Sequence, residues 1–203
     1  MTAPGVTVDD DAAPTTGRPR RVSDDQIFAA LTEQIDETGP DGVTLARVAA
    51  RTGMTGPALG HRFGSKRGLL LAFAERQVAA MDEHFDAAEA TNPSPIDALM
   101  AALTSVGART RTRAEVANNL AMLNLDLADD ELGHFAAAQS RVLRRRIVDL
   151  LEAANFGTAS QRIWRADDLY VVWSGGTLTW AIDGDGPLED WLTERLRRTI
   201  NSW

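Results

Sequence analysis

The chain has 203 residues, of which 44% are apolar and 25% charged, so it is long enough and apolar enough to fold around a core. It has no cysteine, which excludes disulfides and thiolate metal sites and fits a reducing cytoplasm. No apolar run has the length of a membrane span or the pattern of a signal peptide. The net charge of −8 excludes a uniformly basic surface, yet residues 17–67 hold eight basic and six acidic side chains.

Residues 1–20 are rich in Pro, Thr, Asp and Gly and have no hydrophobic periodicity, which predicts a disordered tail. Arg18, Arg20 and Arg21 lie at its end, and two interpretations of them stay open: contacts with a DNA minor groove, or a solvated basic linker. Ser23 is the predicted cap of the first helix, which is expected to end at the turn beginning with Gly39.

Two short helices joined by a turn are predicted next. Thr44 and Thr55 can cap them, because a threonine hydroxyl accepts a hydrogen bond from a free N–H of the first turn. Gly53 lies in the turn, where a chain reversal needs positive φ. Leu59 and Phe63 are four residues apart and are expected to face inward. The residues left facing outward are Gly56, Pro57, Gly60, His61 and Arg62.

A longer helix is predicted to begin after Ser65, with Lys66 and Arg67 in its first turn. Two cations at a helix N-terminus oppose the helix dipole, so an external anion such as a phosphate is expected there. The stretch from Val43 to Phe73 is therefore interpreted as a helix-turn-helix unit whose partner is DNA.

The remaining pattern predicts an all-α body, with about nine helices in the whole chain and no strand. The predicted helices after the motif span about 66–90, 95–106, 114–127, 129–155, 167–183 and 188–200. Residues 167–183 are apolar on nearly every side, which predicts a deeply buried helix. The run Arg144–Arg146 is predicted to be a solvated face paired with Asp149 and Glu152, rather than a second nucleic-acid patch.

Catalysis is not predicted. The histidines His61, His84 and His134 are far apart in sequence, and no catalytic, metal-binding or nucleotide-binding motif occurs. Ser174–Thr177 has the composition of a phosphate loop, but it lies within an apolar helical run without a preceding strand, which favours helix packing. The sequence thus predicts no enzyme, no cofactor and no metal.

A pocket for a small molecule is predicted between the fourth and eighth helices. Met100, Met122, Tyr170 and Trp173 suit an adaptable apolar lining, and Asn119 offers a polar contact. The alternative is that the apolar residues belong to the core and that Asn119 faces solvent.

The last two predicted helices carry more apolar surface than one small body needs. A four-helix bundle formed by helices eight and nine of two chains would bury it, which predicts a homodimer. The alternative is that both helices pack on their own body. In a two-fold dimer the second short helix of each motif, the recognition helix, would lie about 34–36 Å from its copy, as a palindromic DNA site requires.

The motif resembles the DNA-binding domain of the TetR family of transcriptional regulators. The resemblance covers residues 23–73 and rests on T-L-x-x-V-A, G-M-T, A-L-x-x-x-F and G-S-K-x-x-L-L. It implies that Thr44, Thr55 and Lys66 hold phosphates. It also implies that the residues facing the major groove are Gly56, Pro57, His61 and Arg62. The family usually has Tyr where this chain has Gly60, which puts the strength of DNA binding in question.

The resemblance implies a cytoplasmic, ligand-responsive repressor that binds a palindromic double-stranded operator as a dimer, with an unknown small-molecule effector and no membrane partner. Three segments are predicted: a tail (1–20), a helix-turn-helix domain (21–68) and an effector-binding and dimerisation domain (69–203). The alternative is a helical module for small molecules or proteins whose helix-turn-helix is degenerate.

Overall fold

A computed structural model describes residues 22–110 and 112–203, with the backbone alone for residues 106–109. The predicted tail, with Arg18, Arg20 and Arg21, lies outside these residues. Within them the chain forms nine α-helices and no strand, as the sequence predicts. The helices are α1 (Asp24–Gly42), α2 (Leu45–Arg51), α3 (Gly56–Phe63), α4 (Lys66–Thr91), α5 (Pro95–Arg109), α6 (Arg113–Ala128), α7 (Asp130–Ala153), α8 (Ala159–Asp183) and α9 (Leu188–Asn201).

The first four helices begin at the predicted caps. The side-chain oxygens of Ser23, Thr44, Thr55 and Ser65 accept backbone N–H groups three residues on, at 3.0–3.3 Å. Each cap satisfies a donor that the helix itself leaves free, which fixes where the helix starts. The regular part of α1 stops at Gly39, where the turn was predicted to begin; Gly39 has φ +66°, and a short helical segment follows it to Gly42.

The N-terminal core draws on more than the first four helices. Ile27, Leu31, Val48, Leu59 and Leu69 have no exposed surface and form its centre. Side chains from the second half of the chain also belong to it: Leu132 of α7, with Met122 and Leu125 of α6 packed against it. Among the described residues, this core therefore links α1–α4 to the corner between α6 and α7.

α6 packs along α1. The side-chain N–H of Asn118 donates to the carbonyl oxygen of Asp36 at 2.7 Å. The Oδ1 atom of Asn118 lies 3.1 Å from the position that a Cβ on Gly39 would occupy. A side chain at residue 39 would press against Asn118, so this glycine serves both the kink and the close approach of α6.

The C-terminal core joins α4, α5, α7, α8 and α9 around buried residues that include Phe85, Leu99, Ile147 and Leu169. α9 buries one stripe of its surface, formed by Leu188, Leu192, Leu196 and Ile200, in this core of its own chain. No helix within the described residues is both long and apolar enough to cross a membrane.

The prediction for α8 was wrong in two respects. It begins at Ala159, eight residues before the predicted start, because Thr158 and Gln161 form a capping box. It is also not deeply buried, since only one side faces the core. The opposite side exposes apolar side chains, namely Ile163, Trp164, Val171, Leu178 and Ile182.

The arginines of α7 also pair differently from the prediction. Arg146 bonds Asp86 of α4 at 2.7 Å and also pairs with Glu89, while Arg144 bonds Asp167 of α8 at 3.0 Å. The predicted partners Asp149 and Glu152 lie on the same helix as the arginines. Tertiary packing instead brings carboxylates of the neighbouring helices α4 and α8 within reach of Arg144 and Arg146. The run therefore holds α7 against α4 and α8.

Candidate nucleic-acid interface

The turn between α2 and α3 sets the angle between these helices. Gly53 adopts φ +70°, and the N–H of Met54 donates to the carbonyl oxygen of Ala49 at 2.9 Å. Leu59 anchors α3 in the core with no exposed surface. Gly56 lies against α2, since a Cβ there would be 3.4 Å from the Cα of Ala46. Of the residues predicted to face outward, Gly56 therefore also contributes to helix packing.

The opposite side of α3 is exposed. Pro57, Ala58 and His61 lie on it at positions one, two and five residues after Gly56, and all three are at least partly open to solvent. Ala58 was missed in the sequence because a small apolar residue carries no chemical signal of its own. An exposed helix face with a short, non-acidic surface can enter a major groove without a charge clash.

Gly60 is half-buried at the edge of this face. A Cβ at residue 60 would meet only the Cδ1 atom of Leu45, at 3.9 Å, among the described residues, and its φ is not positive. The backbone therefore does not require glycine here, and a larger side chain has room.

Arg62 is tied to the start of α1. Its Nη1 donates to the carbonyl oxygen of Val22 at 2.8 Å, and its Nη2 bonds Asp24 at 2.7 Å. Its guanidinium also lies 5.7 Å from the ring centroid of Phe63. Although Arg62 is exposed, its charge is already paired within the domain.

Two cations converge near the turn that precedes α2. Lys66 donates to the carbonyl oxygen of Asp41 at 3.4 Å, and Arg47 donates to that of Gly42 at 3.0 Å. Thr44 caps α2 beside them and is exposed. The sequence reasoning missed Arg47; its position three residues after the cap, in the first turn of α2, was the available signal. We call Thr44, Arg47 and Lys66 the phosphate cluster.

The neighbouring arginines differ in having carboxylate partners. Arg51 pairs with Glu37 and also bonds Glu33 at 3.1 Å, and these contacts, that with Glu37 most, raise the pKa of its guanidinium. Arg67 bonds Asp129 through two atoms, at 2.7 and 2.9 Å. Among the described residues, neither Arg47 nor Lys66 has an ion pair, so their charge remains available to an external anion.

The residues predicted to line a ligand pocket do not meet in one place. Met100 is buried in the C-terminal core, Met122 packs against the N-terminal core, and Asn119 is exposed. Tyr170 and Trp173 do lie together, with ring centroids 6.3 Å apart, and the indole N–H of Trp173 donates to the carbonyl oxygen of Leu103 at 2.9 Å.

A separate groove of about 370 Å³ lies on the surface between α8 and α9. Trp191 forms one wall, and the guanidinium of Arg195 lies 3.0 Å from the centroid of its ring. Gly176 allows the two helices to approach, since a Cβ there would be 3.2 Å from the Trp191 ring. The groove adjoins the exposed apolar side of α8.

Asp126 lies at the corner where α6 meets α7. The carboxyl group is half-buried, and its Oδ1 is buried without a hydrogen-bond partner among the described residues. Burial, and then the nearby charge of Asp129, raise the pKa of Asp126 to about 6.

The chain is a helix-turn-helix protein: both helices of the motif are capped, the second is exposed, and two cations beside it have no ion pair within the described residues. Residues 27–73 match the family model described as "Bacterial regulatory proteins, tetR family". The helix-turn-helix segment of the chain is therefore similar to the DNA-binding domain of that family. No curated protein matches the sequence.

Solved structures share the fold over nearly the whole chain. A transcriptional regulator from Rhodococcus sp. Rha1 is 22% identical with a TM-score of 0.71, covering 89% of this chain and 95% of its own. SmeT, the repressor of the Stenotrophomonas maltophilia multidrug efflux pump SmeDEF, is 18% identical with a TM-score of 0.59, covering 90% of each chain. FadR from Bacillus subtilis, solved with stearoyl-CoA, is 13% identical with a TM-score of 0.63, covering 89% and 100%.

Proposed function

We propose that the chain is a ligand-responsive transcriptional repressor that binds a palindromic operator as a homodimer in the cytoplasm. The phosphate cluster beside the exposed side of α3 carries this proposal. Within the described part of the chain its two cations lack carboxylate partners, whereas Arg51 and Arg67 nearby are paired. Cations left free on one surface of an acidic protein attract a polyanion to that surface and orient it there.

The DNA contacts follow from the positions of the side chains. Lys66 and Arg47 would neutralise phosphates, and the hydroxyls of Thr44 and Thr55 would donate to them while accepting from their own helices. Such contacts fix the register of a protein on the duplex without reading sequence. Pro57 and His61 would lie in the major groove, with Gly56 at the helix start. There His61 can hydrogen-bond a base edge and Pro57 can contact a thymine methyl group.

Arg62 would add to the groove contacts only by exchanging its partners. Its bonds to Val22 and Asp24 compete with a base or a phosphate. In the free protein it holds α3 against the start of α1, which keeps the exposed side of α3 in a fixed orientation.

A second copy would cover the exposed side of α8. The exposed apolar side of α8 and the groove beside Trp191 are adjacent. In a two-fold arrangement, where each contact occurs twice, the exposed side of α8 in one chain can therefore fill the groove of the other chain. Gly175 lies on this exposed side of α8, and a Cβ added to it would meet no atom of the described residues within 4 Å. Packing within the described residues does not require glycine at this position. The absence of a side chain there would instead allow the backbone of a partner helix to come close.

The effector would be a small molecule bound in the C-terminal body, where Tyr170 and Trp173 offer aromatic surface. FadR, which shares the fold, was solved with stearoyl-CoA, and a long acyl chain is one candidate class for this body. Ligand would favour dimers whose α3 helices are wrongly spaced for successive major grooves, and so release DNA. The contact between α6 and α1 gives this shift a physical route.

The decisive experiment is an unbiased selection of DNA from random sequence, followed by fluorescence anisotropy on the selected site at several salt concentrations. Lys66→Ala and Arg47→Ala should each weaken binding and lower the salt slope by about 0.9, the value for one lost phosphate contact. Arg51→Ala is the matched control, because this arginine, in the same helix as Arg47, is already paired with carboxylates. Failure to select any site would overturn the proposal.

Two observations favour the alternative of a helical binding module with a degenerate helix-turn-helix. Among the described residues, the outward side of α3 carries no unpaired arginine or lysine, and Gly60 lacks the aromatic group usual in the family. A dimer with no DNA binding at low salt would support this alternative.

A further inference from the structure

A buried glutamine contacts the same carbonyl oxygen as a cation of the phosphate cluster. Gln34 lies in the middle of α1 with 2% of its surface exposed. Its Nε2 atom donates to the carbonyl oxygen of Gly42, the last residue of α1, at 3.4 Å. The Nη1 atom of Arg47 donates to the same oxygen at 3.0 Å. A carbonyl oxygen has two lone pairs, so it can accept from the buried amide and from the exposed guanidinium together.

The carbonyl of Gly42 therefore links the interior to the DNA-facing surface. The last carbonyls of a helix have no partner within it, so side chains decide how this one is held. The backbone around it is closely packed, since a Cβ at residue 42 would lie 2.3 Å from the Oγ1 atom of Thr38. Thr38 in turn donates to the carbonyl oxygen of Gln34 at 2.9 Å. Gln34 holds the carbonyl of Gly42 from the inside, and Arg47 contacts it from the solvent side.

The other end of the glutamine amide has no partner. The Oε1 atom of Gln34 is buried and accepts no hydrogen bond within the part of the chain that the structure describes. A buried acceptor without a donor destabilises a fold, whereas a methionine would fill similar space without this loss. The Gly42 carbonyl would still have Arg47 as a donor if Gln34 were replaced. Stability alone therefore does not explain a glutamine at this position.

Lys66 provides an internal contrast. It donates to the carbonyl oxygen of Asp41, at 3.4 Å, and Asp41 is exposed. Among the described residues no second side chain donates to that oxygen, so the buried amide supports one cation of the phosphate cluster and not the other.

We propose that Gln34 is a positioning residue for DNA binding, which fixes the carbonyl of Gly42 and thereby holds the guanidinium of Arg47 ready for a backbone phosphate. The inference rests on the proposed function, in which Arg47 contacts DNA. An arginine side chain loses rotamer freedom when it binds, and one that is held beforehand has less freedom to lose. Gln34 also remains a donor to Gly42 when Arg47 turns toward a phosphate, so the carbonyl is not left unpaired.

The test is a double-mutant cycle on the full-length chain, measured by fluorescence anisotropy on the operator selected from random sequence. Gln34→Met removes the amide and keeps the size of the side chain. It is combined with Arg47→Ala, which removes the positioned cation, or with Lys66→Ala, which removes the cation that Gln34 does not support. Gln139→Met makes the same substitution on α7 and is the matched control. Thermal unfolding of every variant accompanies the binding measurements.

Gln34→Met should weaken operator binding about fivefold, within the range for coupled residues of one hydrogen-bond network. Its salt slope should fall toward that of Arg47→Ala, because a phosphate contact is weakened. The fivefold loss should vanish when Arg47 is already alanine and should persist with Lys66→Ala. Gln139→Met should bind like wild type. The melting temperature of Gln34→Met should equal or exceed that of wild type, because the unsatisfied oxygen is gone.

A loss of affinity from Gln34→Met that is the same with and without Arg47 would show a general structural effect and overturn the inference. Unchanged binding by Gln34→Met would overturn it too, and both results would leave the proposed function intact. Gln34→Leu repeats the measurements with a branched side chain, and a lower melting temperature of both variants would assign the glutamine to stability instead. Absence of operator binding by wild type would overturn the inference and the proposed function together.

Discussion

Asn118 of α6 donates its side-chain N–H to the carbonyl oxygen of Asp36 in α1, at 2.7 Å. The helical donor to this oxygen would be residue 40, which is Pro40 and has no N–H. A side chain from the second half of the chain thus provides the hydrogen bond that proline withholds. This bond ties α6 to the helix that supports the DNA-facing side of the fold.

Replacing Asn118 should loosen the junction between α1 and α6. Asn118→Ala removes a half-buried hydrogen bond to a carbonyl that has lost its helical donor, and we expect the free energy of unfolding to fall by about 1–2 kcal/mol. Chemical denaturation measures this change. Asn124→Ala, on the same helix but exposed, is the control and should have little effect. Equal losses in both variants would contradict the role of Asn118.

Asp126 should make stability depend on pH. Its folded-state pKa of about 6 lies above its ordinary value of 3.8, so the folded chain holds the proton more tightly than the unfolded chain. Stability contributed by the protonated carboxyl is therefore present below about pH 4, is lost as pH rises to about 6, and stays lost above that. Because the group is half exposed and solvent screens it, the loss is on the order of 1 kcal/mol.

Asp126→Asn should accordingly be more stable than wild type at pH 7, and the difference should vanish near pH 4. Thermal unfolding followed by circular dichroism at intervals between pH 4 and 8 measures both. Asp149→Asn, a change on the neighbouring helix α7, is the control. A stability difference that does not change with pH would show that burial of the charge is not the cause.

Substitutions of Gly60 test whether the exposed side of α3 contacts DNA. Gly60→Ala should stabilise the fold by up to about 1 kcal/mol, because the new Cβ has room and alanine favours a helix. Gly60→Tyr should bind operator about fivefold more tightly through one added phosphate hydrogen bond. Gly68→Ala is the contrasting variant, since its Cβ would collide with the carbonyl oxygen of Phe63, and it should be destabilised. Weaker binding by Gly60→Tyr would mean that DNA approaches too closely for a side chain there.

Placing a negative charge on the exposed side of α8 should change the oligomeric state of the protein. Leu178 is 43% exposed on α8 and Leu123 is 45% exposed on α6, so the two leucines are matched in chemistry and exposure. Leu178→Glu should convert a dimer into monomers, because it places two like charges in the proposed interface. Leu123→Glu should remain dimeric. Light scattering after size-exclusion chromatography distinguishes these outcomes, and a dimeric Leu178→Glu would argue against this interface.

Local chemistry explains what the sequence could predict. Ser23, Thr44, Thr55 and Ser65 cap their helices through bonds that span three residues, so the neighbouring sequence decides them. The positive φ at Gly53 is likewise local. The family resemblance of the motif rests on these same short-range requirements, and the match over residues 27–73 confirmed it.

Long-range contacts explain which features could not be predicted from the sequence. The first turns of α8 hold Arg165, whose burial depends on the rings of Phe156 and Trp203, the latter 38 residues away. A charged residue in that position does not indicate a buried helix face. In the candidate site, Arg62 was expected to face the groove, and only the folded chain brings it to Asp24, which precedes it by 38 positions.

Leu132 has 1% of its surface exposed and lies in the N-terminal core, although it belongs to the first turn of the seventh helix. A fragment ending at residue 68 would lack this leucine, together with Leu69 and Leu70, and would leave the N-terminal core without three of its buried side chains. Such a fragment would be a poor substitute for the intact protein in DNA-binding studies. Conversely, any molecule that displaces the corner between α6 and α7 acts on the interior of the DNA-binding half, and not on a hinge between two independent bodies.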